Sequence, residues 1–379
     1  MSTEIVLTNA RVVLPDAVID GTVVIRDGLL AEISEGMSAA GESLDGDYLI
    51  PGLVELHTDH LEGHYAPRPK VRWNPIASVL AHDAQIATSG ITTVFDALRV
   101  GMYEDTDIGA ADMRKLADAI EDSVRHDRVR ADHFIHLRCE VSAPDCMDAF
   151  AHFEDEPRVR LASLMDHAPG QRQFASFDAY AVYYMGKMKM TDEQFRLYCE
   201  KRMAQSEANS ARNRQAVADA CRERGIVLAS HDDATVAHVA EAVDQGIRVA
   251  EFPTTTEAAR ASHEAGMGVL MGAPNVMRGG SHSGNVSART LAEAGLLDIL
   301  SSDYIPFSLI QSAFFLGGVV EGINLPRAVA MVSRNPAEAV GLHDRGAIVA
   351  GRRADLVRVR LDEHVPVVRA VWREGRRVA

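Results

Sequence analysis

Cysteine is scarce in this chain of 379 residues, which has only Cys139, Cys146, Cys199 and Cys221. No two of them are spaced as a CxxC pair, and four in such a long chain are too few for a disulfide framework. We therefore expect reduced thiols that pack as small apolar side chains, in a cytoplasmic protein.

Long apolar runs and excess positive charge are also missing. No apolar run approaches ~20 residues, so no membrane span is predicted. The N-terminus, MSTEIVLTNARVV, has Glu4 and no basic segment, so it does not predict a secretory signal. With 39 Lys and Arg against 54 Asp and Glu, the net charge is −15. Such a surface repels nucleic acid and anionic lipid, so we expect neither as a partner.

The two ends of the chain have the alternating pattern of β-strands. Residues 3–35 contain EIVLTNARVVL, GTVVIRDG and LLAEIS, and the C-terminal end contains ADLVRVRL and PVVRAVWREGRRV. Period-2 segments broken by Asp-Gly are typical of antiparallel strands and hairpins. We predict one small β domain built from residues 1–50 and 344–379, around a different domain at 51–343.

The middle of the chain alternates short apolar segments with helical patterns. The segments are YLIPGLVEL, ITTVFDA, HFIHLRC, RVRLASLM, IVLAS, IRVAE, GVLM and LDILSS. Eight near-continuous apolar strands with helical crossovers predict a parallel sheet covered on both faces, and the number favours a closed (β/α)8 barrel. A doubly wound open sheet is the alternative.

Helix signals lie between these segments. Met113, Leu116 and Ile120 fall on one helical stripe. Thr191 with Gln194 forms a capping box that opens a helical region running to Gly225, in one piece or two. A further capping box, at Thr254 and Glu257, predicts a helix that closes near Gly266.

Ionisable residues stand where the predicted strands end. They are His57, Asp59 and His60 on the first strand, Arg138 and Glu140 on the third, Asp166 and His167 on the fourth, His231, Asp232 and Asp233 on the fifth, and Asp303 on the eighth. A barrel carries its chemistry at these strand ends, and alternation points His57 and Asp59 the same way. A single histidine there is usually structural. Recurring imidazole and carboxylate groups are typical of a shared divalent metal.

The loops after strands one, four and seven are predicted to carry cations. They contain HYAPRPKVRW, DHAPGQRQF and GAPNVMRGGSHSGN. The candidate substrate-binding residues are Arg68, Lys70, Arg172, Arg278 and His282. Cations and glycine-rich backbone over a barrel mouth suit a polyanion such as a phosphate ester. The alternative is that these are ordinary solvated surface charges.

The motifs LIPGLVELHTD, NPA at Asn335–Ala337 and GAIVAGRRADLV resemble the amidohydrolase superfamily. HTDHLEGHYAPRPKVRW, SLMDHAPGQRQF, LASHDDAT and LMGAPNVMRGGSHSGN resemble its phosphonate-utilisation branch. The resemblance implies a metal-bearing (β/α)8 barrel with a small β-sandwich made from both chain ends.

The resemblance also implies a ligand set. It places metal ligands on His57, Asp59, His231 and Asp303, and Glu140 is nominated as a bridging ligand with Asp166 or His167 as substitutes. The sixth-strand histidine of the superfamily is missing, and AEFPTT places Glu251, Phe252 and Pro253 there, so one or two ions are expected. Zinc is the expected metal, with manganese or iron as alternatives.

The implied reaction is metal-assisted hydrolysis of a phosphorylated ribose phosphonate, with release of pyrophosphate. His57 and His231 would act with the metal, Asp303 would accept a proton from the attacking water, and the loop cations would hold the triphosphate. A homo-oligomer is left open. The rival hypotheses are an amidohydrolase that acts on a cyclic amide or N-acyl substrate, and a non-catalytic barrel that serves as a scaffold.

Overall fold

The computed structural model describes residues 4–102, 108–172, 180–181, 184–185, 190–281 and 284–379. Its strands form two separate sheets. In chain order the strands are β1 (Glu4–Val13), β2 (Val18–Arg26), β3 (Leu29–Glu35), β4 (Glu42–Ser43), β5 (Tyr48–Pro51), β6 (Leu53–Thr58), β7 (Ile91–Val100), β8 (Asp132–Glu140), β9 (Val159–Met165), β10 (Val227–His231), β11 (Val249–Glu251), β12 (Gly268–Gly272), β13 (Ile299–Ser301), β14 (Leu356–Asp362), β15 (Val365–Arg373) and β16 (Arg376–Arg377).

The described helices lie mainly between the strands of the second sheet. In chain order they are α1 (His60–Tyr65), α2 (Pro75–Thr88), α3 (Ala110–Arg125), α4 (Cys146–Ala151), α5 (Asp192–Arg224), α6 (Val236–Asp244), α7 (Thr256–Glu264), α8 (Ala273–Arg278), α9 (Ala288–Glu293), α10 (Ser308–Val319), α11 (Leu325–Ala330) and α12 (Arg334–Ala339). Among these helices, none is both long and apolar enough to cross a membrane.

The first sheet joins the two ends of the chain, in the order β16-β15-β14-β5-β1-β2-β3, with β4 beside β1. The join is the antiparallel pairing of β14 with β5. Asp27 and Gly28 turn β2 into β3 with φ angles of 49° and 82°, as an Asp-Gly hairpin requires. The prediction of a β unit made from both termini is confirmed; the domain boundaries at residues 50 and 344 stay a prediction.

The second sheet is a parallel barrel. Strands β6 to β13 pair in strict chain order, and a parallel bridge between Thr58 and Asp303 connects the last strand back to the first. A doubly wound sheet reverses its strand order at a switch point, so that alternative is wrong. Alternate side chains fill the barrel interior, including Val54, Leu56, Phe95, Leu161, Ala229, Val249, Leu270 and Ile299.

The helix predictions were mostly correct. The stripe of Met113, Leu116 and Ile120 is the buried face of α3. The helix α5 runs in one piece from its capping box at Thr191 to Gly225, whose φ of 66° ends it. The prediction of Thr254 as a cap was wrong by one residue: Thr255 caps α7, and Thr254 instead follows the end of β11.

The four cysteines are buried and unpaired. Cys139, Cys146 and Cys221 belong to one apolar cluster between the barrel and its helices, and Cys199 lies in another. Their predicted role as small core residues is therefore confirmed.

Candidate active site

The carboxyl ends of the barrel strands surround a cavity of about 350 Å³. This is within the size range of small-molecule sites. The ionisable side chains that line it are His57, Asp59, Arg138, His167, His231, Asp232, Arg278 and Asp303. Groups up to 246 residues apart in the chain thus converge because parallel strands end on one edge of the barrel.

Three strands finish in an unusual backbone conformation at this mouth. Asp232, Phe252 and Asp303, which follow β10, β11 and β13, have φ angles of 58°, 54° and 55°. Side-chain-bearing residues rarely adopt this left-handed region, and such positions cluster at functional sites. The Asp232 amide donates to the Glu251 carbonyl at 2.9 Å, and the Asp303 amide donates to the His57 carbonyl at 3.2 Å. The bends therefore turn these side chains into the mouth.

Glu251 holds two of the histidines from below. Its two carboxylate oxygens each lie 3.1 Å from a ring Nδ1, one on His57 and one on His231. Glu251 is fully buried, so these imidazole N–H groups are its natural partners. With Nδ1 donating, each ring keeps a lone pair on Nε2, which is the arrangement that metal-binding histidines usually show.

Glu140 does the same for a third histidine. One carboxylate oxygen lies 2.6 Å from His167 Nδ1, and the other accepts from the His167 amide and the Ser142 hydroxyl. His167 Nε2 is 3.8 Å from an Asp232 oxygen, and His231 Nε2 is 3.7 Å from the same oxygen. The ligand atoms of His167, His231 and Asp232 all lie within 4.8 Å of one another.

Burial sets the charge of these groups. It lowers the pKa of His57 and of His231 to about 3, so both rings are neutral. Burial also raises the pKa of Asp232 and of Asp303 to about 7. At His167 burial acts to lower the pKa, but the Glu140 carboxylate outweighs it and raises the pKa. The imidazoles are neutral, and too few positive charges lie nearby to balance the carboxylates. Such a set of nitrogen and oxygen donors fits a divalent cation.

A partly buried arginine lies beside this donor set. Arg138, near the end of β8, lines the cavity and donates to an Asp59 oxygen at 3.2 Å. Burial opposes the charged form, but Asp59, Glu62 and Asp303 raise the pKa of Arg138, so it stays cationic. Its Nε is buried without a partner among the described residues. The cavity thus combines candidate metal ligands with a positively charged side chain.

Comparison with known proteins identifies the family. The sequence model of the amidohydrolase family matches residues 84–379. The chain belongs to the amidohydrolase family. It is 47% identical over 377 residues, 98% of this chain and 100% of the relative, to the alpha-D-ribose 1-methylphosphonate 5-triphosphate diphosphatase of Escherichia coli (strain K12).

Solved structures of other amidohydrolases have the same fold. The N-acetyl-D-glucosamine-6-phosphate deacetylase of Mycobacterium smegmatis aligns with a TM-score of 0.65 at 18% identity, covering 99% of both chains. The 5-methylcytosine deaminase of Klebsiella pneumoniae aligns with a TM-score of 0.64 at 14% identity, covering 99% of this chain and 98% of that one. At such identities the likeness describes the fold alone.

Some of the metal ligands predicted for this amidohydrolase line the cavity, and others lie behind its wall. His57, Asp59, His231 and Asp303 line the cavity together, and so does His167. Glu140 lies behind His167 and contacts it. The alternative ligand Asp166 faces α5, where it accepts from the hydroxyls of Ser206 and Ser210. Of the three nominated groups, only His167 therefore reaches the cavity described here.

Of the residues predicted to bind substrate, some line the cavity and others do not. Arg278, the last residue of α8, lines the cavity of this amidohydrolase. Arg172 does not, because it is buried and its guanidinium is paired with Asp233 and Glu241. Arg68 and Lys70 are exposed on the segment after α1 and are not among the described residues that line the cavity. His282 lies outside the described residues.

Sequence reasoning gave no role to three groups of this mouth. Glu251 was noted only as a departure from the superfamily pattern, and Asp232 and Arg138 only as residues at strand ends. The role of Glu251 depends on β11 lying beside β10 and across from β6, which no short motif displays. Asp232 could have been found from its place directly after His231, and Arg138 from its place two residues before Glu140.

Proposed function

We propose that this amidohydrolase hydrolyses alpha-D-ribose 1-methylphosphonate 5-triphosphate to alpha-D-ribose 1-methylphosphonate 5-phosphate and pyrophosphate. The observation that carries the proposal is the 47% identity to the Escherichia coli enzyme of that name, over 98% of this chain and all of the relative. Water attacks at the anhydride between the first and second phosphates. The P–O bond to the outer two phosphates breaks, and they leave together as pyrophosphate.

The mouth offers the ligands that such a reaction needs. His57 and His231 would hold one or two divalent ions through Nε2, together with His167, Asp59, Asp232 and Asp303. Zinc is the first candidate because the set mixes imidazole and carboxylate, and manganese or iron are the alternatives. A bound ion would lower the pKa of water and polarise a phosphoryl oxygen. Glu251 and Glu140 fix the rings so that their free nitrogens face the cavity.

Asp303 is the proposed proton acceptor. Its carboxylate lies on the cavity wall at the end of β13 and is held there by the strand bridge to Thr58. It has no hydrogen-bond donor among the described side chains, so its oxygens are available to the attacking water. Burial raises its pKa to about 7, and a base is most effective when its pKa is near the working pH.

Arg138 and Arg278 are the proposed phosphate contacts. Both arginines line the cavity, although the chain as a whole carries a charge of −15. A triphosphate carries several negative charges. As the P–O bond breaks, further negative charge develops on the bridging oxygen of the departing pyrophosphate. Two cations that line this site would favour binding and stabilise that gain. An amide substrate would have little use for them.

The test is a comparison of substrate classes on metal-loaded enzyme. Ribosyl 5-triphosphates are offered beside a panel of cyclic amides and N-acyl compounds, and pyrophosphate release and ring opening or deacylation are followed. Pyrophosphate from the triphosphates, absent with His231→Ala, is the expected result. Amide hydrolysis without pyrophosphate would support the rival amidase, and no turnover of either class by a metal-loaded protein would support the scaffold.

A further inference from the structure

A second group of histidines lies on the outer side of the barrel, between α1 and α2. His60 and His64 are one turn apart on α1, and His82 faces them from α2. The ring centroids are 5.0 Å apart for His60 and His64, 6.1 Å for His60 and His82, and 6.0 Å for His64 and His82. One nitrogen from each ring lies within 4.8 Å of the other two.

Each of the three rings has one nitrogen without a hydrogen-bond partner among the described residues. His60 Nδ1, His64 Nε2 and His82 Nδ1 are buried, and no hydrogen-bonding atom of the described residues satisfies them. Gln85, also on α2, is the polar neighbour of His64 and leaves that Nε2 unsatisfied. Burying one unpaired polar atom costs roughly 1–3 kcal/mol. Three such atoms, one on each of three neighbouring rings, therefore call for a common partner.

A chain of hydrogen bonds fixes the orientation of His82. Its Nε2 lies 2.7 Å from an Asp96 oxygen, and the other Asp96 oxygen lies 2.7 Å from His133 Nδ1. His133 Nε2 reaches Asp83 at 3.3 Å. These four side chains are all fully buried. When the neutral ring donates Nε2–H to Asp96, its lone pair is on Nδ1. Carboxylate behind histidine is the usual support of a metal-binding imidazole.

We propose that His60, His64 and His82 form a second divalent-metal site, separate from the barrel mouth, that takes a nitrogen-preferring ion such as zinc. Three imidazoles leave the fourth position of a tetrahedral ion for water. Zinc with Zn–N bonds of about 2.0–2.1 Å sets its nitrogens about 3.4 Å apart, so the three rings draw together on binding. His60 and His64 are only partly buried, which leaves the ion a path from solvent.

The position of this site gives it a structural role. The helix α1 has six residues, and an isolated helix of that length is unstable in water. An ion shared with α2 pins α1 at both of its ends, at His60 and His64. Asp59, which lines the mouth, directly precedes His60. The ion therefore anchors the segment that presents Asp59, without itself reaching the cavity.

The experiment counts ions. Three proteins are stripped with chelator, reloaded with zinc and desalted: wild type, the double variant His60→Ala/His64→Ala and the control His364→Ala. The control removes an exposed histidine of the terminal sheet. Elemental analysis should find one ion per chain fewer in the double variant than in wild type and control. His231→Ala, which alters the mouth, should keep the ion between α1 and α2.

Anomalous diffraction from zinc-loaded wild-type crystals decides the question even if the double variant folds poorly. A peak among the three rings, bonded to His60 Nδ1, His64 Nε2 and His82 Nδ1, is the expected result. No peak there, or an unchanged ion count in a folded double variant, overturns the proposal. Either result is independent of whether the mouth hydrolyses a triphosphate.

Discussion

The barrel mouth and the histidine group between α1 and α2 use the same device in different surroundings. In both, a buried carboxylate is hydrogen-bonded to one nitrogen of an imidazole, and the other nitrogen stays available to a ligand. Glu251 does this for His231, and Asp96 does it for His82. The mouth opens into a cavity of about 350 Å³ that Arg138 and Arg278 also line. The rings of the second group face one another across ring distances of 5.0–6.1 Å.

The difference shows what a catalytic site needs beyond ligands. Oriented imidazoles can hold an ion at either place. Room for a substrate, a free carboxylate such as Asp303 and cations such as Arg278 are found together at the mouth. The following substitutions test whether the two places are separable, from the largest expected effect to the smallest.

Removing a ligand at the mouth should abolish turnover. In His231→Ala, as in His57→Ala, metal content at the mouth and turnover should both be lost while the fold survives. We expect a fall of at least ~1000-fold, since loss of an outer partner alone costs about 10–100-fold. His64→Ala is the matched change at the second group and should retain most activity. Normal metal content in His231→Ala by elemental analysis would remove that residue from the ligands.

Asp303→Asn should lose turnover far more than affinity. Asn keeps the shape of the side chain but cannot accept the proton, and general-base catalysis contributes about 10²–10⁴-fold. An interaction made only in the transition state appears in kcat rather than in KM. Steady-state kinetics on metal-loaded protein measure both. A variant with near-normal kcat would end the assignment of Asp303 as the base.

Glu251→Gln should weaken metal at the mouth alone. A glutamine can accept one of the two Nδ1–H bonds through its carbonyl, while its NH₂ group opposes the other. We expect metal affinity to fall about 10–100-fold there. Asp96→Asn is the mirror experiment and should weaken only the ion between α1 and α2. Chelator competition with each variant measures both affinities, and equal losses at both sites in either variant would contradict their separation.

Arg278→Ala should reduce kcat/KM for the triphosphate by about tenfold or more, because a charge-assisted contact is worth roughly 1.5–3 kcal/mol. Metal content should not change, since arginine is not a ligand. Arg172→Ala should instead lower the melting temperature, because it leaves Asp233 buried without its partner. Equal kinetic losses in the two variants, with stability unchanged in both, would show that the paired arginine is not structural.

The smallest effect concerns pH in metal-free protein. Burial, followed by the charge of Asp59, raises the pKa of Asp303 from 3.8 to about 7. Between these values the folded state binds more protons than the unfolded chain, so ionisation of Asp303 destabilises the fold as pH rises. The penalty is complete above about pH 7. Asp303→Asn should therefore gain stability relative to wild type through this window and hold it at higher pH.

Urea denaturation of both chelator-treated proteins on either side of the window measures this difference. The histidines whose pKa burial lowers, such as His57 and His231, are common to both proteins, so their contribution cancels. A difference in unfolding free energy that stays constant or shrinks with rising pH would contradict the raised pKa.

The sequence was a good guide wherever the relevant interactions are local or follow from strand order. Alternation along a strand placed His57 and Asp59 on one side, and the barrel rule brought them to His231 and Asp303. It was a poor guide to pairing across the fold. Arg172 was predicted to bind substrate because it lies in a loop after a barrel strand. Its ion pairs with Asp233 and Glu241 could not be predicted, since these partners are 61 and 69 residues away in the sequence. The pair of His60 and His64 can be recognised from the sequence, because residues four apart share one face of a helix. The contact of His82 with this pair cannot, because His82 lies on a different helix.

The cleaved bond is the most direct test of the central claim. Wild type and His231→Ala, both exposed to the same zinc concentration, are followed by ³¹P NMR on alpha-D-ribose 1-methylphosphonate 5-triphosphate. Wild type should release pyrophosphate and the 5-phosphate in equal amounts from the first turnovers, and the variant should release neither product. Orthophosphate as the first product, or pyrophosphate released equally by the variant, would contradict it.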